Sequence, residues 1–222
     1  MIYAIVDSPL YKLLMQGKRL NFPKGQVVAV FDEQAPIYLI KSGYVKRYLI
    51  TKEGEKGIQV IYGPDDILPL TPIYKEVFKM DIYSGPEQYY YEAMTPVELY
   101  YIRQADLQEA LVKDSAIYKD LFYLAGIRLN SYIHRLESMS LRVANRKVVH
   151  QLNYLAHIFG KKTTEGIKIM LPLTNQELGD ILNLSRETVT REMVKLKTKG
   201  IIAVDNKNIV ITDQERLKRI YS

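Results

Sequence analysis

Cysteine and tryptophan are both missing from the 222 residues, and there are only 3 histidines, His134, His150 and His157. Without a thiol there is no disulfide framework, no thiolate-held iron–sulfur cluster and no thiol redox switch. No histidine precedes His134, which removes the clustered strand histidines that metal catalysis on a β-roll requires. His150 and His157 can share one face of a predicted helix, but two imidazoles without a flanking carboxylate make a poor metal site. No metal and no other cofactor is expected. A run of about 18 apolar residues, long enough to span a bilayer, is also lacking, so no membrane partner is expected. The start, MIYAIVDSPLYKLL, has neither the basic segment nor the long apolar stretch of a secretory signal, and the expected location is the cytoplasm. There is no P-loop, dinucleotide fingerprint or nucleophile elbow. Asp65 and Asp66 are adjacent, so they point apart in a strand or form a turn, and they make a poor acid–base pair. The chain does not read as an enzyme.

What is present is unevenly distributed. From Ser138 onward 15 Lys and Arg stand against 8 Asp and Glu, a balance of +7, while the first 137 residues hold 16 against 17, a balance of −1; together they give the net +6. The basic third includes Lys161, Lys162, Lys195, Lys197, Lys199 and Lys207. Such a surface attracts a polyanion through counterion release, although solvated faces carry lysines too. Tyrosine is biased the other way, with 16 of the 18 before Ser138.

Leu173 to Gly200 reads as two helices joined by a tight turn. Thr174 followed by Glu177 forms a capping box ahead of Leu178, Ile181 and Leu182. Asn183 breaks that helix, Leu184 packs inward from the turn, and Ser185 caps a second helix whose inward stripe is Val189, Met193 or Val194, and Leu196 or the stem of Lys197. Arg186, Glu187, Thr190 and Arg191 fall on the opposite face in its first two turns, where a helix docked in a major groove meets base edges. An arginine fork suits guanine and a carboxylate suits the cytosine amino group. A solvated face of an amphipathic helix would carry the same residues. Beyond it, Ile201 to Val204, a turn over 205–208, and Ile209 to Ile211 read as a β-hairpin. Ahead of it, Val143 to Phe159 is a predicted helix burying Val148, Leu152, Leu155 and Ile158. A loop over Gly160–Gly166 follows, then a short strand from Ile167 to Leu171.

Between Phe22 and Ile102, apolar runs at Gln26–Phe31, Ile37–Ile40, Tyr44–Ile50, Ile58–Tyr62, Tyr89–Met94 and Val97–Ile102 are broken by turn signals such as Lys41-Ser42-Gly43, Glu53-Gly54 and Gly63-Pro64, a pattern of antiparallel β-structure. The helix that follows carries Tyr118, Phe122, Ala125, Leu129, Tyr132, Leu136 and Met139 at alternating spacings of four and three, a candidate dimer seam. Ile117, Leu121 and Leu124 form a second stripe to pack on the β-structure. One wide core face is the alternative.

Ser185 to Arg191, S-R-E-T-V-T-R, resembles the recognition helix of the cyclic-AMP receptor protein and fumarate-nitrate regulator (Crp/Fnr) superfamily. Tyr38 to Lys46, Tyr62 to Leu68 and Ala93 to Ile102 resemble its β-roll. The resemblance covers nearly the whole chain and implies an α+β fold with three parts. These are an N-terminal double-stranded β-roll, a cyclic-nucleotide-binding-like jelly roll over 1–110 that senses an effector; a dimerisation helix over 111–138; and a C-terminal winged helix-turn-helix over 139–222. It implies a homodimeric, sequence-specific regulator of transcription on double-stranded DNA, with a pseudo-palindromic operator of TGA- or TCA-like half-sites. Arg186, Glu187, Thr190 and Arg191 would contact bases, and Thr174, Gln176, Ser185, Thr188, Lys195 and Lys207 phosphates. RNA polymerase is the implied further partner, reached through the Gly160–Gly166 loop. The alternatives are a cyclic-nucleotide-responsive regulator and a protein-docking module built on the winged helix.

The effector site departs from the cyclic-nucleotide pattern. Pro69 and Leu70 stand where the family has its ribose-holding glycine and glutamate, and Glu87 and Gln88 where it has a phosphate-binding arginine and serine. A carboxylate repels a phosphate, and there is no cation between Met80 and Glu92. The effector is therefore expected to be an unknown small molecule other than a cyclic nucleotide. Leu70, Tyr74, Tyr83, Tyr89 and Tyr91 would line its pocket, although tyrosines also wall β-barrels without binding anything.

Overall fold

Aromatic and β-branched residues between glycine- and proline-containing turns fold into antiparallel strands, as the computed structural model shows for residues 5–30, 35–52, 54, 56–79, 88–205 and 208–221. Expectations placed on Phe31, Glu53, Tyr83, Glu87, Asn206 and Lys207 lie outside these described residues. The chain divides into two compact units, Tyr3–Asn130 and Ser131–Ser222.

In the first unit, α1 (Pro9–Met15) leads into β1 (Lys18–Phe22), β2 (Val27–Val30), β3 (Ile37–Ser42), β4 (Val45–Ile50), β5 (Lys56–Tyr62) and β6 (Ile67–Leu68). Next come α2 (Thr71–Val77), β7 (Tyr89–Ala93), β8 (Val97–Ile102), α3 (Gln104–Lys113) and α4 (Ala116–Ser140), whose last ten residues belong to the second unit. The strands form two antiparallel four-stranded sheets, ordered β1-β8-β3-β6 and β2-β7-β4-β5. Gly43 shows why the Lys41-Ser42-Gly43 signal makes a turn. Its φ is +88°, and a Cβ there would lie 2.3 Å from the Pro96 carbonyl oxygen, so both conformation and space select glycine. Asp65 and Asp66 are the turn formers of the second possibility above. Asp65 is left-handed at φ 67°, and the Asp66 carboxylate accepts the Gly63 N–H at 2.8 Å. β6 and the short helices α1 and α2 escaped the sequence reading because none is long enough to show a period, and β1 because Lys18, Arg19 and Asn21 leave it without an apolar run.

Leu10 and Leu14 of α1, Ile37 and Leu39 of β3, Ile67, Ile73, Leu107, Leu111 and the α4 residues Ile117, Leu121 and Leu124 form one buried cluster. The second α4 stripe thus packs on the β-structure as expected. The first stripe is left bare: Phe122 is 81% exposed, Leu136 66%, Leu129 61%, and Tyr118 and Met139 are also exposed. Ala125 and Tyr132 are half-buried.

The second unit comprises the end of α4, then α5 (Ala144–Phe159), β9 (Gly160–Thr163), β10 (Gly166–Ile169), α6 (Asn175–Leu182), α7 (Arg186–Thr198), β11 (Ile202–Asp205), β12 (Asn208–Ile211) and α8 (Gln214–Tyr221). Its sheet is ordered β11-β12-β10-β9. The expected hairpin is β11–β12, with Ile202 opposite Ile211. The expected loop over Gly160–Gly166 is corrected: Gly160–Thr163 is an edge strand paired with β10, Lys161 opposite Lys168. Every β9 side chain is exposed, so no apolar alternation announced it. On α5, Val148, Leu152 and Leu155 are buried as expected, whereas Ile158 is only half-buried, and Val149, His150, Gln151 and Ala156 complete the inner face.

His150 does not pair with His157, which is exposed. It stacks on His134 of α4, with ring centroids 4.1 Å apart and planes 6° from parallel. Tyr154 stacks on His134 at 3.8 Å. The His134 Nε2 lies 3.3 Å from Gln151 Oε1, and the His150 Nε2 lies 3.5 Å from Glu137 Oε2. Burial pushes His134 from 6.5 down to about 4, His150 beside it adds to the shift, and the hydrogen bond with Gln151 opposes it. His150 is also lowered, by burial against the pull of Glu137. A histidine depressed in the folded state binds protons first in the unfolded chain, so stability is full above the unfolded value and falls with pH down to the folded one. Urea denaturation is therefore expected to show stability declining from about pH 6.5 to about pH 4, with a shallower decline in His134→Gln. An unchanged slope in that variant would remove the stack as its source.

Candidate nucleic-acid interface and effector pocket

The α6–α7 pair is fixed at each junction by a side chain or by the lack of one. Thr174 Oγ1 accepts the Glu177 N–H at 3.1 Å, and the Glu177 carboxylate accepts the Thr174 N–H at 3.0 Å, the reciprocal box that ends orphan amides at a helix start. Asn183 closes α6 in the left-handed region at φ 53°, where asparagine is tolerated better than most residues. A Cβ on Gly179 would sit 2.6 Å from the Leu184 carbonyl oxygen. Ser185 Oγ then accepts the Thr188 N–H at 3.2 Å and starts α7. Val189, Met193 and Leu196 are buried against the unit while Val194 is exposed, which resolves the inward stripe in favour of Met193.

Arg186, Glu187, Thr190 and Arg191 are all exposed, and among the described residues no ion pair engages Arg186 or Glu187. The Thr190 hydroxyl is occupied: it donates to the Arg186 carbonyl at 2.8 Å and accepts the Asn175 side-chain amide at 2.9 Å. Its methyl group is the part left to meet a base. Of the six residues expected at phosphates, Thr174, Gln176, Ser185 and Lys195 are exposed, Thr188 is half-buried, and Lys207 lies outside the described residues. The Gln176 amide donates to Asp180 at 2.7 Å, and the Lys195 ammonium is held on Glu192 at 2.8 Å.

Glu192 was missed by the sequence reading. It is buried on α7 and accepts from Asn145 of α5 at 3.1 Å as well as from Lys195, with the Arg191 Nε at 3.7 Å. Burial works to raise its pKa, but the hydrogen bonds from Lys195 and Asn145 outweigh this and hold it below the usual carboxylate range. A buried acid in a basic helix has no signature in spacing alone.

In the first unit, Leu70 and Tyr74 share one apolar neighbourhood, and Arg128 interacts electrostatically with Tyr74 while lying over Tyr62, the neighbour of Tyr91. Leu70 belongs to the buried cluster with Leu10 and Ile73. The Tyr74 hydroxyl, pushed up to about 12 by burial, donates to the Leu121 carbonyl at 2.7 Å. Tyr91 is buried and lies 6.1 Å from Tyr62, and Tyr89 carries the Arg47 guanidinium over its ring at 4.8 Å. Tyr83 lies outside the described residues. Arg128 of α4 sits over Tyr62 at 4.3 Å, 3.8 Å from Asp66. Two guanidinium groups thus reach the tyrosines from β4 and α4. Neither lies within residues 80–92, because strand pairing (Arg47 opposite Tyr91) and helix packing bring them from far along the chain.

Among the described residues, no helix is long and apolar enough to cross a membrane. Residues 146–220 match the family of the Crp-like helix-turn-helix domain, and residues 19–114 that of the cyclic nucleotide-binding domain. The CRP-like cAMP-activated global transcriptional regulator of Mycobacterium tuberculosis is 26% identical over 97% of this chain and 93% of its own length. The global nitrogen regulator of Synechococcus elongatus is 23% identical over 93% and 87%. Among solved structures, a CooA mutant from Carboxydothermus hydrogenoformans aligns with a TM-score of 0.74 at 21% identity, covering 95% of this chain and 90% of that one. FixK2 from Bradyrhizobium japonicum aligns with a TM-score of 0.73 at 20% identity, covering 93% and 98%.

Glu192→Gln removes the charge that Lys195 and Asn145 share, and is expected to lower stability by about 1–3 kcal/mol in urea denaturation at neutral pH. Since the folded pKa is depressed, the difference from the unaltered protein should shrink as the pH falls through the ordinary glutamate range. A variant as stable as the parent would mean that the hydrogen bonds only offset the cost of burial.

Proposed function

Because the chain belongs to the Crp/Fnr superfamily of transcriptional regulators, we propose that it is a homodimeric, sequence-specific DNA-binding regulator, controlled by a small molecule held in the β-roll. One observation carries the reading: the first two turns of α7 present Arg186, Glu187, Thr190 and Arg191 to solvent on one face while Val189, Met193 and Leu196 anchor the other. Arg186 and Arg191 then read guanine, Glu187 cytosine and the Thr190 methyl thymine, within half-sites of TGA or TCA type. Thr174, Gln176, Ser185, Thr188, Lys195 and Lys207 hold phosphates and set the register. No catalytic step is assigned. The exposed β9–β10 hairpin, with Lys161, Lys162 and Glu165, is the surface assigned to RNA polymerase.

The bare α4 stripe supports the dimer, since an apolar seam at heptad spacing loses its exposure against a second copy. A two-fold protein then matches a two-fold operator with half-sites about 34 Å apart.

For the effector, Pro69 and Leu70 offer no carboxylate to a ribose, which favours a ligand other than a cyclic nucleotide. A cyclic nucleotide is the second reading. It is favoured by the guanidinium groups of Arg47 and Arg128 near Tyr89 and Tyr62, and by the cAMP activation in the name of the M. tuberculosis relative. Calorimetric titration with cyclic AMP decides between the two: saturable heat supports the second reading, and its absence supports the first.

Selection from a random duplex library should return a two-fold site. Glu187→Ala is expected to relax preference at one base pair of each half-site by about 1–3 kcal/mol with the salt dependence kept. Lys195→Gln should instead weaken binding to all sequences and reduce the salt slope by about one. Equal effects of both on sequence preference would refute the base-reading role of α7. In sedimentation equilibrium, Phe122→Asp is expected to give a folded monomer with weakened operator binding; a persistent dimer would place the subunit contact elsewhere.

A further inference from the structure

Two imidazoles and a carboxylate meet in the second unit at the close of α4 and the middle of α5. One ligand atom from each of His134, Glu137 and His150 can be chosen so that all lie within 4.8 Å of one another. On sequence alone His150 and His157 could share a helix face but made a poor metal site for want of a flanking carboxylate; the structure sets His134 and Glu137 beside His150. We propose that His134, Glu137 and His150 bind one divalent transition-metal ion of the zinc, cobalt or nickel class, with the Gln151 side-chain oxygen or a water completing the shell.

The distances support this. In a tetrahedral site with bonds of about 2.0–2.1 Å, neighbouring ligand atoms are separated by about 3.3 Å. His150 Nε2 to Glu137 Oε2 is already 3.5 Å, and His134 Nε2 to Gln151 Oε1 is 3.3 Å. The adjustment required is in the ring stack. An imidazole lone pair lies in the plane of its ring, so two rings 6° from parallel must turn about their Cβ–Cγ bonds to aim at a common point, a torsion that is intrinsically broad but here opens the stacking of His134 on His150 and on Tyr154, so metal binding must offset that loss. The Glu137 side chain is 57% exposed and gives the ion its way in. Nitrogen donors select this class over magnesium or calcium, which prefer oxygen.

An ion at this place joins the last turns of α4 to α5, and α5 carries Asn145, whose amide holds Glu192 of the recognition helix. Occupancy would therefore stiffen the support of α7 without touching the DNA-reading face.

The full-length protein, titrated with zinc sulfate and followed by calorimetry and by NMR of its imidazole nitrogens, tests the site. The small number of histidines makes the readout simple. Expected are one ion per chain, shifts of the His134 and His150 ring nitrogens with His157 unmoved, and affinity at least about tenfold weaker in Glu137→Gln, an exposed substitution that leaves the fold intact. Cobalt in place of zinc should give the visible absorption of a tetrahedral nitrogen–oxygen site. The proposal is overturned if His157 responds in place of the pair, if only one of the two responds, or if Glu137→Gln and His134→Gln bind zinc as tightly as the parent.

Discussion

The space that Gly179 leaves empty decides where the recognition helix points. The Leu184 carbonyl lies where a β-carbon would be, at 2.6 Å, and the Leu184 N–H returns to the Gly179 carbonyl at 3.1 Å. Any side chain at that position would push the turn away from α6 and rotate α7 with it. Asn183 supplies the left-handed residue the turn needs, and the Ser185 cap begins α7 at once. Three consecutive backbone constraints thus convert a short stretch of sequence into a defined angle between two helices. The exposed face of α7 is useful only because that angle is fixed.

A second constraint operates on α4. Its 25 residues carry two apolar stripes, and a helix has only one face to give to a single core. Ile117, Leu121 and Leu124 take the core of the first unit. The remaining stripe is then exposed by geometry rather than by accident, and it is long, running from Tyr118 to Met139. Isolated exposed leucines need no explanation, but a contiguous stripe does. The same helix ends in His134 and Glu137, so one element contributes to a core, to an uncovered seam and to a polar cluster along its length.

The parts of the fold that were legible in the sequence were those governed by local rules. Capping at Thr174 and Ser185, the break at Asn183, the turn at Gly43 and the two periodicities of α4 each depend on residues within one or two turns of each other, and the structure contains all of them. The parts that were not legible depend on pairing across the chain. β9 shows no alternation because both its faces are exposed, and it is a strand only because β10 lies beside it. Arg128 reaches Tyr62 by helix packing, Arg47 lies beside Tyr91 by strand register, and His134 meets His150 because α4 and α5 fold back on each other. A histidine in one helix carries no mark of the histidine in the next. Leu70 stands at a position of functional interest by resemblance, and its place in the apolar cluster comes from contacts with Leu10 and Ile73 that no local pattern announces.

Charge placement on α7 distinguishes its first turn from the turns that follow. Arg191 and Lys195 share the buried Glu192, so part of their charge is compensated before any partner arrives, and a base edge at Arg191 or a phosphate at Lys195 must compete with that carboxylate. Arg186 and Glu187, in the first turn, have no ion pair among the described residues and no internal bond to give up. A cation drawn away from its carboxylate forfeits that pair and leaves the buried acid uncompensated, whereas an unpaired side chain gives up only its water. The residues with the least to lose are therefore at the N-terminal end of the helix, which is the end that enters a major groove first in a helix-turn-helix. Glu192 also ties α7 to α5 through Asn145, so the same carboxylate that restrains Arg191 and Lys195 gives the first-turn residues a rigid base from which to discriminate.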